Sequence, residues 1–163
     1  MRKPVAGVTR AWRTATPAET EALGAKLAAS LPAQRSALTV VNLSGDLGAG
    51  KTTLARGFLH AVGISGTIHS PTYTLLETYE AEAITVVHLD LYRLRVPSEL
   101  EPLGLRDLAL PGFVWLIEWA ERGGTQLPKP DLEVRLTVGM GAHEIEARGI
   151  SDFGRAWLQH TSA

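Results

Sequence analysis

Apolar runs of strand length alternate along the chain with stretches whose apolar residues recur every three to four positions, and this alternation predicts an α/β fold. Val8 to Thr14 predicts a first strand. Thr16-Pro17-Ala18-Glu19 then reads as a helix start, with Thr16 as N-cap, Pro17 at the first helical position and Glu19 completing a capping box. Leu23, Leu27 and Leu31 follow on one face. Leu38 to Leu43 is a nearly continuous apolar run, the pattern of a buried central strand. A glycine-rich segment comes next, and Thr53 to Val62 continues as a helix. Tyr73 to Tyr79 and Ile84 to Leu89 read as two strands joined by a short connection, and so as an antiparallel hairpin. Ser98-Glu99-Leu100-Glu101 opens a short helix. Phe113 to Ile117 is a second buried strand, ending at Glu118-Trp119. Leu132 to Val138 and Glu144 to Arg148 form a second hairpin through Gly139-Met140-Gly141, and Ser151 caps a final helix carrying Phe153, Trp157 and Leu158. Two hairpins exclude a purely parallel sheet.

Composition adds bounds rather than chemistry. The 163 residues are 45% hydrophobic and 20% charged, which suits one domain over residues 1–163 with a real core. The stretch Gly123 to Pro130 is too short to separate domains and reads as a loop. A net charge of −1 gives no global basic field for nucleic acid, and the absence of cysteine excludes disulfides and thiolate zinc sites. Met1-Arg2-Lys3-Pro4 is not followed by the apolar run of a secretory signal, and no stretch reaches the roughly 18 apolar residues of a membrane span. The expected location is cytoplasmic.

The chemistry enters with Gly45-Asp46-Leu47-Gly48-Ala49-Gly50-Lys51-Thr52, a phosphate-loop pattern between a predicted strand and a predicted helix. Gly45, Gly48 and Gly50 let the backbone bend so that successive N–H groups face an anion, and the helix adds its positive end. Lys51 would reach the β- and γ-phosphates of ATP and the Thr52 hydroxyl would ligate Mg²⁺. Asp46, Leu47, Gly48, Ala49, Gly50, Lys51, Thr52 and Thr53 are the predicted nucleotide-binding residues of a three-layer, P-loop NTPase-like sandwich with a mixed, partly antiparallel central sheet.

Phosphoryl transfer also needs a second carboxylate for the metal and a group that orients the nucleophile. Asp90 and Glu118 each end an apolar strand and are the candidates, provided that both strands lie beside the phosphate-loop strand. Ser70-Pro71-Thr72-Tyr73 stands where many such proteins sense the γ-phosphate, and reads equally as a proline turn with a serine cap. His88 reads as a buried, hydrogen-bonded histidine in preference to a catalytic one. Arg93 could pair with Asp90 or reach phosphate, and Trp119 could stack near a base or pack in the core. Asn42 is the only asparagine, so the Asn-Lys-x-Asp guanine reader is absent. No arginine-rich lid is evident, although Arg93, Arg95 and Arg106 keep a small-molecule kinase open. A nucleotide-gated binding module without useful turnover is the third reading.

Four motifs in order narrow these readings: Gly45 to Thr53, Ser70-Pro-Thr-Tyr-Thr-Leu75, His88-Leu-Asp-Leu-Tyr-Arg93 and Ile117-Glu-Trp119. From about Leu23 to Ile150 the chain resembles the bacterial TsaE family, also called YjeE. The resemblance implies an ATPase with weak intrinsic, partner-stimulated hydrolysis that is required for threonylcarbamoyladenosine formation at position 37 of tRNA. It implies TsaB and TsaD as protein partners, with tRNA contacted only indirectly and no membrane. It implies that Lys51 and Thr52 hold phosphate and Mg²⁺, that Asp90 is the Walker-B-like aspartate, that Glu118 serves Mg²⁺ and hydrolysis, and that Ser70 to Tyr73 form the switch. It also brings the segment around Thr16 and Pro17 towards the adenine.

Overall fold

The computed structural model describes residues 7–163, and Met1 to Pro4 lie outside the described residues. Among the described residues the strands are β1 (Thr9–Thr14), β2 (Thr39–Ser44), β3 (Leu76–Glu80), β4 (Thr85–Asp90), β5 (Phe113–Glu118), β6 (Leu132–Val138) and β7 (His143–Gly149). They form one sheet in the order β1-β7-β6-β2-β5-β4-β3. β2 runs parallel to both β5 and β6, and β4 runs parallel to β5; the remaining pairs, β3–β4, β6–β7 and β1–β7, are antiparallel. The mixed sheet and both hairpins agree with the sequence pattern.

Helices α1 (Pro17–Ser30), α2 (Lys51–Ala61) and α3 (Asp152–His160) pack on one face of the sheet. Thr16 caps α1 by accepting from the Glu19 amide, while the Glu19 carboxylate accepts from Ala15 N at 2.7 Å, one residue earlier than an ideal capping box. α1 and α2 touch backbone to backbone. A Cβ on Gly24 would fall 2.1 Å from Leu54 O, and one on Gly57 would fall 2.0 Å from Glu21 O. α3 is pinned to α1 by Trp157, whose indole N–H donates to Leu27 O at 3.0 Å.

On the opposite face, 3-10 turns over Pro97–Leu103 and Leu105–Leu108 bury Leu100 against Val87, Leu89, Trp115 and Ile117. This second layer is built of 3-10 turns rather than the short helix predicted at Ser98, because Pro102 lies inside the turn and cannot donate to a continuing α-helix. It covers β2, β5 and β4. Over β1, β7 and β6 the same face stays polar and exposed, with Arg13 paired to Glu144 at 3.0 Å and Arg148 to Glu133 at 2.6 Å across strands.

β3 is shorter than predicted. Tyr73 and Thr74 lie in a turn whose Pro71 O accepts Leu75 N at 2.8 Å, and Leu75 adopts φ 66°, so extended structure begins only at Leu76. A side chain in the left-handed region is strained.

Candidate functional site

The site grows from the end of β2. The chain leaves Ser44, turns through Gly45 (φ 145°), Gly48 (φ 80°) and Gly50 (φ 104°), and enters α2 at Lys51 without a side-chain cap. Space explains the first of these glycines. A Cβ at Gly45 would meet Leu136 O at 2.3 Å, in a backbone conformation that L side chains resist. The first turn of α2 therefore opens, uncapped, into a cleft of about 340 Å³ lined by Leu47, Gly48, Gly50, Lys51, Thr52, Thr53, Ser70, Thr72, Asp90, Tyr92, Glu118 and Trp119. Uncapped helical amides at such an end attract anions.

Lys51 is buried, with Nζ 2.7 Å from Gly45 O and 2.8 Å from Asp46 O. Burial lowers the pKa of its ammonium below the usual lysine value, against the opposing pull of the Glu118, Asp90, Glu121 and Asp46 carboxylates. Its Nζ also stands 4.5 Å from the centre of the Trp119 ring. Trp119 is held at φ 60°, directly after β5, with Tyr92 on one side at 5.1 Å between ring centroids and Arg122 at 5.3 Å. The tryptophan thus faces the lysine side of the cleft and also packs, half-buried, against the apolar cluster that includes Trp115 and Ile117.

β4 and β5 run in register with Asp90 beside Glu118, so both carboxylates reach the cleft. Of β4 and β5, only β5 neighbours β2; β5 lies between β2 and β4, and this corrects the expectation that both strands flank the phosphate-loop strand. Glu118 stays within reach of α2: the Thr52 hydroxyl is 3.0 Å from Oε1 and 3.1 Å from Oε2. Oε2 also lies 2.7 Å from His88 Nε2. Asp90 accepts from the Ser70 hydroxyl and, through Oδ1, from Tyr92 N at 3.1 Å. Arg93 reaches neither Asp90 nor the cleft, because its guanidinium lies over the exposed Tyr73 ring at 4.4 Å.

Of the segment at 70–73, Ser70 and Thr72 line the cleft, while Pro71 and Tyr73 turn to a neighbouring surface hollow. Thr16 lines a second groove of about 170 Å³ with Pro17, Thr20, Gly48, Gly50, Thr53 and His143, on the other side of the loop from Trp119. Ala49 and Asp46 line neither cavity. Ala49 O accepts from His143 Nδ1 at 2.7 Å, and Asp46 O accepts from Ala49 N and Lys51. His143 and Tyr92 belong to the site although the sequence reading gave them no role. The sequence signal for Tyr92 is its place in the His88 to Arg93 motif, two residues after Asp90. A larger cavity of about 710 Å³ lies among the 3-10 turns, lined by Leu100, Arg106 and Gln126 among others, away from the loop and both carboxylates.

Among the oxygen donors at the cleft, the Thr52 hydroxyl and the Asp90 and Glu118 carboxylates are of the kind a hard divalent cation prefers. Among the described residues no cluster of three or more His, Cys, Asp or Glu could hold a metal alone. Mg²⁺ usually takes one or two carboxylates and completes its shell with water and substrate phosphate.

A mixed sheet whose central strand feeds a glycine loop and then a helix, with carboxylates gathered at the neighbouring strand ends, defines an α/β protein of P-loop NTPase-like architecture. Residues 14–145 match the family described as threonylcarbamoyl adenosine biosynthesis protein TsaE. The chain belongs to the TsaE family and so to the biosynthesis of threonylcarbamoyladenosine in tRNA. It is 45% identical over 116 residues to the tRNA threonylcarbamoyladenosine biosynthesis protein TsaE of Haemophilus influenzae, covering 71% of this chain and 73% of that one. It is 41% identical over 123 residues to the TsaE protein of Bacillus subtilis, covering 76% and 74%. The fold matches the crystal structure of Bacillus subtilis YdiB with a TM-score of 0.77 and 29% identity, over 97% of each chain. No helix among the described residues is long and apolar enough to cross a membrane.

Proposed function

We propose that this protein binds Mg·ATP in the cleft at the phosphate loop and hydrolyses it slowly, as the ATPase component that acts through TsaB and TsaD in forming threonylcarbamoyladenosine at position 37 of tRNA. The observation that carries this reading is the convergence of Lys51, Thr52, Asp90 and Glu118 at one uncapped helix end. Lys51 exchanges the carbonyls of Gly45 and Asp46 for phosphate oxygens, which keeps its ammonium satisfied in both states. Thr52 and the two carboxylates hold the cation, and when bound Mg²⁺ neutralises charge on the transferring phosphoryl group. Glu118 sets the orientation of the attacking water, and Ser70, bonded to Asp90, carries the arrival of the γ-phosphate into the segment at 70–73. The adenine side of the nucleotide falls in the groove beside Thr16. The setting is the cytoplasm, where tRNA resides.

The kinase reading called for arginines over the phosphates, and the lining of the cleft contains none among the described residues. Reconstitution with TsaB, TsaD, tRNA and Mg·ATP, with and without this protein, tests the proposal. Sustained modification only in its presence, with label from γ-labelled ATP appearing as inorganic phosphate, is expected. Multiple-turnover modification without it, or a labelled phosphometabolite when a metabolite pool is added, would overturn it.

A further inference from the structure

On β4, Val86, His88 and Asp90 alternate onto the face packed by α2. Val86 joins the helix-side core and Asp90 opens onto the cleft. His88 lies between them with 0% of its surface exposed, and its Nε2–H donates to Glu118 Oε2 across 2.7 Å. Its other ring nitrogen, Nδ1, is buried and has no hydrogen-bond partner. A polar ring that leaves one nitrogen orphaned is a costly way to fill space that a leucine would fill without penalty. Its single bond is therefore the feature to explain.

Thr52 does not distinguish the two oxygens of Glu118, since its hydroxyl is 3.0 Å from one and 3.1 Å from the other, and one O–H donates to one acceptor at a time. His88 does distinguish them, because it bonds Oε2 alone. With Oε2 held, Oε1 is the oxygen that stays free to turn when the Thr52 hydroxyl moves to a cation. We infer that His88 is a positioning residue that fixes the rotamer of Glu118 from inside the core and assigns its two oxygens separate tasks, Oε2 to the anchor and Oε1 to the cation and its water. This rests on the Mg·ATP reading above. Partners that orient metal-binding groups in this way typically govern about 10–100-fold in metal affinity or activity.

The test compares wild type, His88→Gln, which keeps an N–H donor near the position of Nε2, and His88→Leu, which removes it. ATP hydrolysis is followed at saturating Mg·ATP, and ADP association is measured by calorimetry with Mg²⁺ and with chelator. For His88→Leu the expected result is a fall in kcat of about 10–100-fold and loss of the Mg²⁺-dependent gain in affinity, with ADP affinity in chelator unchanged within about twofold. His88→Gln should restore both to within about threefold of wild type. Equal behaviour of the two variants, or full turnover in His88→Leu, would overturn the inference. A second measurement needs neither variant to fold nor any nucleotide. Nitrogen-15 NMR of the nucleotide-free wild type should show a slowly exchanging Nε2–H on His88 whose resonance moves in Glu118→Gln. Its absence would also overturn the inference. Failure of wild type to bind any adenine nucleotide would instead refute the Mg·ATP reading, leaving the NMR result to decide whether His88 holds Glu118.

Discussion

Thr52 and Glu118 stand 66 positions apart in the chain, yet the threonine hydroxyl lies within 3.1 Å of both oxygens of the glutamate. The contact joins the first turn of α2 to the end of β5, the strand beside β2. It places a neutral donor where a cation between helix and sheet would have its ligands ready.

Glu118→Ala tests the catalytic half of this arrangement. Nucleotide binding in chelator should stay largely intact and its Mg²⁺-dependent gain should be lost, while hydrolysis falls at least about tenfold, or about 1.4 kcal/mol of barrier. Single-turnover hydrolysis alongside calorimetry separates the two quantities, and unchanged turnover would remove Glu118 from the chemistry.

Lys51→Ala should act on binding instead. Losing charge-assisted bonds worth about 1.5–3 kcal/mol weakens ATP association by roughly 10–100-fold. Calorimetric titration of the variant checks this, and wild-type affinity would place the phosphates elsewhere.

Removing the cation should separate two roles as well. Chelation with EDTA is expected to abolish hydrolysis while ADP still binds, because the loop amides and Lys51 need no metal to hold phosphate. Phosphate release that continues in chelator would contradict the assignment of Thr52, Asp90 and Glu118 to Mg²⁺.

Gly57→Ala addresses stability rather than chemistry. Its Cβ would be forced to within 2.0 Å of the Glu21 carbonyl, so α1 and α2 must separate. Overpacking of this kind costs about 1–3 kcal/mol, which is several degrees of thermal midpoint for a chain of this size. A melt by circular dichroism within a degree of wild type would show that the helices can part freely.

The parts of the site that the sequence revealed are those that chemistry forces to be contiguous. A cradle for phosphate needs its glycines, lysine and threonine within one turn of chain, so Gly45 to Thr52 announces itself. The order of the sheet left no such trace. The pairing of Phe113–Glu118 with Thr39–Ser44 is decided by long-range burial, and nothing local says that β5 enters between β2 and β4. The same limit hid the partner of His88, though not its burial or its hydrogen bond. Flanked by Val86, Val87 and Leu89 it reads as core, and its partner lies on another strand. At Tyr73 to Leu75 the side-chain pattern suits a strand, but the positive φ of Leu75 is a property of the surrounding contacts and not of the residue type.

The sheet is clothed unevenly, and that has a practical outcome. Thr9, Ala11, Glu146 and Arg148 face water on β1 and β7 and line neither the cleft nor the groove beside Thr16. Substitutions at these four positions leave the lining of the cleft untouched. This flank is accordingly a place to attach a fluorophore or an affinity handle clear of the cleft.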